Sequence, residues 1–379
     1  MSREPGPFFA VGPDRVRLLR DGAEAFPAML EAIRRAEREV VLEMYWIGAD
    51  RTGHAFLDAL VERARAGVAV RVRYDAIGSM GLPASFFRPL RAAGGEVAVH
   101  APLAIVRPRW GMPRAAFRDH RKILVVDGLT GFTGGINLGD DWGEVEHGGH
   151  DWRDDAIEVR GPAARELRAL FFESWRPRWP GAAPTPDDVE HVRRMPTGPV
   201  RVLTTTRRHG PARSLRKQYV GAVRGAQRSI DIANAYFVPD VPVLRALRHA
   251  RRRGVEVRVL VPAQSDLWVV SAATRGVVGA LLRRGIRVFA YEGRVLHVKT
   301  AIFDDRLATV GSCNLDVRSF RYNLECNVAV EDETFARHVR ASFERDLASS
   351  REITLESWRE RPFGDRALAW AAWSLRKLL

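Results

Sequence analysis

The sequence predicts an α/β protein built from two similar domains related by pseudo-two-fold symmetry, with the active site at their interface. Three observations carry this. Strand-like and helix-like stretches alternate through both halves of the 379 residues, the order expected of α/β proteins. One polar octet occurs twice, as His120-Arg121-Lys122-Ile123-Leu124-Val125-Val126-Asp127 and as His297-Val298-Lys299-Thr300-Ala301-Ile302-Phe303-Asp304. Each copy is followed by a Gly-rich turn ending in Asn (Gly134-Gly135-Ile136-Asn137 and Gly311-Ser312-Cys313-Asn314), and all four polar residues keep one offset of 177 positions.

The first half opens on an amphipathic helix, with Phe26, Met29, Leu30, Ile33 and Ala36 at three- and four-residue steps. Val40 to Ile47 reads as a strand. A second helix around Phe56, Leu57, Leu60 and Val61 ends at Gly67, a helix-stopping position. Val68 to Tyr74 alternates as a strand, and a further helix and strand end near His100. The second half repeats the order: helix Tyr219 to Ala226, strand Ile230 to Phe237, helix Val243 to Arg253 stopped by Gly254, strand Val255 to Val261, helix Gly276 to Arg284 and strand Ile286 to Tyr291.

Ala36-Glu37-Arg38 matches Ala226-Gln227-Arg228 at an offset of 190, against 177 for the octets, so the first half holds about 13 extra residues between Gly95 and His120. That insert contains the basic and aromatic run Arg107-Pro108-Arg109-Trp110-Gly111-Met112-Pro113-Arg114. Pro177, Pro180, Pro184, Pro186, Pro196 and Pro199 mark a boundary. The division is a first domain over 1–180, a linker over 181–199, a second domain over 200–350 and an amphipathic tail over 351–379. In the tail Leu368, Ala372, Leu375 and Leu379 share a face, flanked by Trp370 and Trp373, a pattern suited to a membrane interface or to docking on the protein.

The formal charge of +14 and pI near 10.7 favour an anionic partner, nucleic acid or a negatively charged membrane surface. Cys313 and Cys326 are the only cysteines, which predicts neither a disulfide framework nor a zinc site. No apolar run reaches the roughly 18 residues of a spanning helix, so the chain reads as soluble or peripheral in the cytoplasm.

The octets point to phosphate chemistry. With a period of two, His120 and Lys122 share a face, as do His297 and Lys299, while Asp127 and Asp304 point away, toward fixing a turn. A neutral imidazole attacks phosphorus or moves a proton, an ammonium binds the phosphate charge, and Asn137 and Asn314 add amide donors. Two facing sets supply one nucleophile and one general acid with no metal or cofactor. The chain has four lysines, and two of them occupy matching places in the octets, where a compact ammonium suits a site too tight for guanidinium.

These residues resemble the phospholipase D superfamily, whose signature is a duplicated His-x-Lys-x4-Asp with a trailing Gly-Gly/Ser-x-Asn. Within it the chain is similar to bacterial cardiolipin synthases of the short type without N-terminal membrane spans. Supporting stretches are Leu42-Glu43-Met44-Tyr45-Trp46, Asn234 to Pro239, and Asn323-Leu324-Glu325-Cys326-Asn327. The resemblance implies a two-step transfer through a phosphohistidine. His120 attacks phosphorus, His297 protonates the departing alcohol and deprotonates the incoming one, and Lys122, Lys299, Asn137 and Asn314 hold the phosphoryl oxygens. Asp127 and Asp304 are grouped with the catalytic set as members of the motif. Glu325 and Asp154 are the implied imidazole-orienting acids, 28 residues after His297 and 34 after His120 respectively.

The implied donor is phosphatidylglycerol or phosphatidylethanolamine, and the acceptor is the terminal hydroxyl of another phosphatidylglycerol. The implied location is the inner face of the bacterial cell membrane, with Arg107, Arg109, Trp110, Arg114 and Arg251 to Arg253 as candidate contacts. The competing readings are a hydrolytic phospholipase D and a nucleic-acid phosphodiesterase on the same scaffold. The Trp-rich tail and insert favour lipid over nucleic acid.

Overall fold

The computed structural model describes residues 5–101, 117–175, 198–205, 214–265, 268–362 and 364. The basic insert, the linker up to residue 197 and the tail beyond 364 lie outside them.

The first half forms β1 (Phe9–Val11), β2 (Asp14–Arg20), α1 (Asp21–Arg34), β3 (Glu39–Met44), α2 (Arg51–Arg65), β4 (Ala69–Asp75), α3 (Arg88–Ala92), β5 (Glu96–His100), β6 (Ile123–Val126), β7 (Thr130–Gly134), β8 (Asp155–Arg160) and α4 (Pro162–Ser174). The second half forms β9 (Val200–Thr204), α5 (Leu215–Gly225), β10 (Ser229–Asn234), α6 (Val241–Arg252), β11 (Glu256–Pro262), α7 (Trp268–Leu282), β12 (Arg287–Tyr291), β13 (Lys299–Phe303), β14 (Leu307–Gly311), α8 (Val317–Arg321), β15 (Cys326–Glu331), α9 (Glu333–Ala348), β16 (Ser350–Ile353) and α10 (Leu355–Arg359).

The repeat is visible in the sheets. Their orders are β1-β2-β8-β7-β6-β3-β4-β5 and β16-β12-β11-β10-β13-β14-β15-β9, so β2-β8-β7-β6-β3-β4-β5 and β9-β15-β14-β13-β10-β11-β12 are the same seven-strand plan. Within it β3-β4-β5 and β10-β11-β12 run parallel, and parallel neighbours need crossover helices such as α2 and α6. Asp50 and Asp240 cap these two helices, accepting from Gly53 N–H and Val243 N–H. Gly67 and Gly254 end them with φ of 86° and 91°, a left-handed conformation that a side chain disfavours.

Three apolar clusters account for the layering. One lies under α1 and α2 and includes Phe26, Ile33, Phe56 and Leu60; its counterpart under α5, α6 and α7 includes Tyr219, Leu247 and Val277. The third is shared. Val41, Val125 and Ile157 of one sheet, with Leu167 and Phe171 of α4, join Val202, Ile302 and Val328 of the other, with Phe335 and Phe343 of α9. Each such buried side chain contributes about 1.5–3 kcal/mol, so the two halves are held by a common core.

The sheets correct two expectations. Residues 350–353 pair antiparallel with β12 and α10 follows directly, so the second domain extends beyond residue 350 into the stretch expected to be tail. Arg251 donates to the Gly285 carbonyl, and Arg253 donates to the carbonyls of Val223, Arg224 and Ala226. Both close the far end of the second domain, away from the histidines, and are not placed as membrane contacts for the site.

Candidate active site

His120 and His297 lie at matching places, just before β6 and β13, at the carboxyl ends of β3 and β10. Each is pinned by the opposite domain. The His120 N–H donates to the Leu324 carbonyl (2.9 Å) and Leu324 N–H to the Arg118 carbonyl (2.9 Å). The same pattern recurs with His297 N–H on the Arg153 carbonyl (2.8 Å) and Arg153 N–H on the Val295 carbonyl (2.9 Å). These two parallel bridges carry the acids across. His120 Nδ1 stands 3.0 Å from Glu325 Oε2, and His297 Nδ1 stands 2.7 Å from Asp154 Oδ2. The carboxylates accept the Nδ1 proton, which fixes the tautomer and leaves Nε2 of His120 as the basic nitrogen.

The acids are themselves held. Ser312 Oγ donates to Glu325 Oε2 (2.6 Å), and Trp142 Nε1 donates to Asp154 Oδ2 (3.0 Å). Gly135 replaces serine in the first copy because a Cβ there would lie 2.2 Å from Asp154 Oδ1. Asp154 and Glu325 each immediately precede matching strands, β8 and β15. Their unequal spacing from the histidines is absorbed by the longer β7–β8 loop, which brings Trp142 under Asp154.

Both lysines are buried beside their histidines. Lys122 Nζ donates to the His120 carbonyl (2.7 Å), and Lys299 Nζ likewise meets the His297 carbonyl. Lys299 Nζ also lies 2.7 Å from His297 Nδ1. Since that nitrogen donates to Asp154, the ammonium stands against the ring edge and its hydrogen bond goes to the carbonyl. Asn137 Oδ1 accepts from Trp46 N–H (3.2 Å), turning its NH2 the other way. Asn314 is buried, and its Oδ1 has no partner among the described residues.

Burial sets the electrostatics. It drives the Lys122 ammonium down to about 7, with Lys299 adding to the shift and Glu325 opposing it. His120 is lowered by burial, against the pull of Glu325. Asp154 is raised to about 6 by burial. Glu325 is lowered: burial acts against this, and His120 and Lys122 outweigh it.

Asp127 and Asp304 are not part of this centre. Asp127 accepts from the N–H groups of Glu37, Arg38 and Glu39 at 2.8–3.0 Å, and Asp304 from those of Gln227, Arg228 and Ser229 at 2.7–2.9 Å. Both sit at the opposite end of their strands with positive φ, 55° and 56°. Their grouping with the catalytic residues is corrected: they tie the hairpin turn to the start of the neighbouring strand.

The sequence reading missed the groups around the histidines. Tyr45 packs against His120 (4.7 Å between centroids), and Trp142, Trp152 and Tyr236 surround His297 at 5.3, 6.0 and 6.2 Å. Behind His120, Asp119 and Glu43 share Arg73 and Arg121 in a buried ion cluster. Beside His297, Arg153 binds Asp155 (2.6 Å) and, across the domain boundary, Asp346 (2.8 Å). One signal was available: Glu43 and Arg73 interrupt apolar strands, and those strands pair in a register that sets the two charges opposite each other.

A family model described as cardiolipin synthase, PLD-like domain, matches residues 219–347. The major cardiolipin synthase ClsA of Bacillus subtilis (strain 168) is 35% identical over 350 residues, covering 92% of this chain and 72% of that protein. Cardiolipin synthase A of Pseudomonas fluorescens is 37% identical over 354 residues, covering 92% and 71%. Among solved structures, a phosphatidylserine synthase from Haemophilus influenzae superposes with a TM-score of 0.71 at 14% identity, covering 98% of this chain and 97% of that one, which shows a shared fold. A polyphosphate kinase from Porphyromonas gingivalis superposes with a TM-score of 0.61 at 15% identity, covering 96% and 53%.

Proposed function

The chain belongs to the cardiolipin synthases of the phospholipase D superfamily, and we propose that it joins two phosphatidylglycerol molecules into cardiolipin and glycerol through a phosphohistidine. The observation that carries this is the crossed pair of imidazoles, each with its Nδ1 against a carboxylate of the other domain and a buried lysine alongside.

His120 Nε2 attacks phosphorus of the donor. The P–O bond to the headgroup breaks, and His297 gives its proton to the leaving oxygen. The acceptor's terminal hydroxyl then takes the place of the departed glycerol. His297 removes its proton, the oxygen attacks phosphorus, and the P–N bond to His120 breaks. Lys122, Lys299, Asn137 and Asn314 bind the phosphoryl oxygens as charge develops. Phosphatidylethanolamine serves as donor by the same steps, releasing ethanolamine.

The reaction takes place at the inner face of the cell membrane, with the protein bound peripherally. No helix among the described residues is long and apolar enough to cross a membrane. Met80, Phe117, Val145 and Val241 are exposed large apolar residues, and a fifth, Leu129, lies in the β6–β7 turn at the opposite end. The first four stand on segments at the histidine end of the sheets, and the net charge of +14 suits an anionic surface.

The test is phosphatidylglycerol vesicles without divalent metal, with products followed by mass spectrometry beside a His120→Ala control. Cardiolipin plus glycerol, lost in the variant, is the expected result. Phosphatidic acid alone would make the protein a hydrolase. Nucleic-acid cleavage without lipid turnover would move it to the nuclease branch.

A further inference from the structure

A two-fold site that handles two lipids of different fate has to break its symmetry somewhere, and the second domain does so. There β16 and α10 extend beyond the repeat and close a cavity of about 270 Å³ against α7. The matching edge strand of the first sheet, β5, has no further strand beside it among the described residues. The cavity sits at the carboxyl ends of the parallel strands β10–β12, where open α/β sheets place ligands. Its wall includes Ala235, whose N–H donates to the carbonyl of Val298 (2.8 Å), between His297 and Lys299.

The lining is that of an anion site with an apolar floor. Arg275, Arg351 and Arg361 line it, and among the described residues no Asp or Glu does. Arg351 is paired with Glu292 on the exposed side (2.8 Å), and Arg361 stacks over Trp358. Trp358 seats against Gly279, where a Cβ would lie 2.4 Å from its indole nitrogen, and this contact holds α10 as a wall. Thr274 also lines the cavity, is 6% exposed, and its hydroxyl has no hydrogen-bond partner among the described residues. A buried hydroxyl left unpaired is costly, so its presence calls for a ligand oxygen.

We propose that this cavity receives the phosphate ester of the acceptor lipid and holds it beside His297 while the terminal hydroxyl is deprotonated. The inference rests on the proposed assignment of His297 as the base. The volume admits a phosphoglycerol group but not a whole phospholipid, so the acyl chains stay in the bilayer. A free phosphate ion shares the chemistry of the lipid phosphate, and the experiment separates the two.

Thr274→Val and Arg275→Gln are assayed in the full chain on phosphatidylglycerol vesicles, with cardiolipin and phosphatidic acid measured together. Cardiolipin relative to phosphatidic acid is expected to fall about tenfold, the scale of one lost charged hydrogen bond, with donor consumption maintained. Thr274→Val is expected to melt no lower than the parent, since it removes an unpaired buried group. An unchanged product ratio would overturn the proposal. So would inorganic phosphate binding to the parent, lost in Thr274→Val, without any effect of that variant on the ratio, because the cavity would then serve the free ion. A parent that makes no cardiolipin defeats the synthase reading instead. The cavity is then judged by calorimetry with water-soluble glycerophosphoglycerol: binding lost in Thr274→Val upholds the site, and equal binding removes it.

Discussion

Glu325 of the second domain holds Nδ1 of His120 in the first at 3.0 Å, and the reciprocal bond runs from His297 to Asp154 at 2.7 Å. Each histidine takes the carboxylate at its Nδ1 from the other domain. Glu325→Gln keeps the shape but replaces the carboxylate that accepts the Nδ1 proton and stabilises the charged ring. It is expected to lower kcat about 10²–10⁴-fold with a small change in KM, as is Asp154→Asn. Steady-state kinetics on short-chain phosphatidylglycerol reads both.

The pH dependence follows from burial. Asp154, raised to about 6, loses its charge below that pH and no longer supports His297. Lys122, lowered to about 7, loses its charge above that pH and no longer binds phosphate. A bell in kcat/KM with limbs near these values is the expected profile. The alkaline limb of kcat should lie higher, because bound phosphate favours the ammonium. The stability sign is separate. The fold disfavours charged Lys122 fully below about 7, and that penalty fades as pH rises toward the unfolded value of ~10.4. Lys122→Met should therefore raise Tm more at pH 6 than at pH 10, read by calorimetry.

Arg153 is buried against Asp155 and Asp346. Asp346→Asn leaves part of that charge uncompensated and should cost about 3–5 kcal/mol, with activity falling because Arg153 also carries the carbonyl that holds His297. Combining it with Arg153→Met should cost less than the two single changes together. Denaturant unfolding of the four proteins in the cycle gives the coupling.

Asp127→Ala and Asp304→Ala each remove a carboxylate that gathers three backbone N–H groups. The expected loss is roughly 1.5–3 kcal/mol of stability, with near-normal turnover per folded molecule. Lys122→Ala should do the reverse, removing turnover and sparing the fold. Paired melting and activity measurements separate the two classes.

Replacing Met80 and Val145 with Ser removes exposed apolar groups at the histidine end. Affinity for anionic vesicles should weaken several-fold, on the scale of about 1 kcal/mol, while turnover of a soluble short-chain substrate stays unchanged. Vesicle co-sedimentation at two salt concentrations reads the effect and its electrostatic share.

The octets were legible because a period-two pattern survives wherever one strand face must meet a site. Helix ends at Gly67 and Gly254 were legible because the left-handed turn selects the residue. What spacing along the chain does not encode is which imidazole an acid will face. Glu325 follows His297 in sequence yet serves His120, since a parallel bridge at Leu324 carries it over the boundary. The membership of β16 in the second sheet was equally hidden, because Ser350 to Ile353 has no alternation of its own. The buried arginines were hidden by their abundance: nothing in composition marks Arg121 and Arg153 apart from the many solvated ones.

The exchange of acids also has a consequence for dilution. A half-protein would carry a histidine without its carboxylate and would regain it only by meeting a second half, so its specific activity would depend on concentration. Here one polypeptide supplies both members of both pairs. Turnover per molecule should be constant down to the lowest assayable concentration, with no dissociation step to extinguish it. The covalent join also releases the two half-sites from having to be identical, and Gly135 against Ser312 is where they have already diverged.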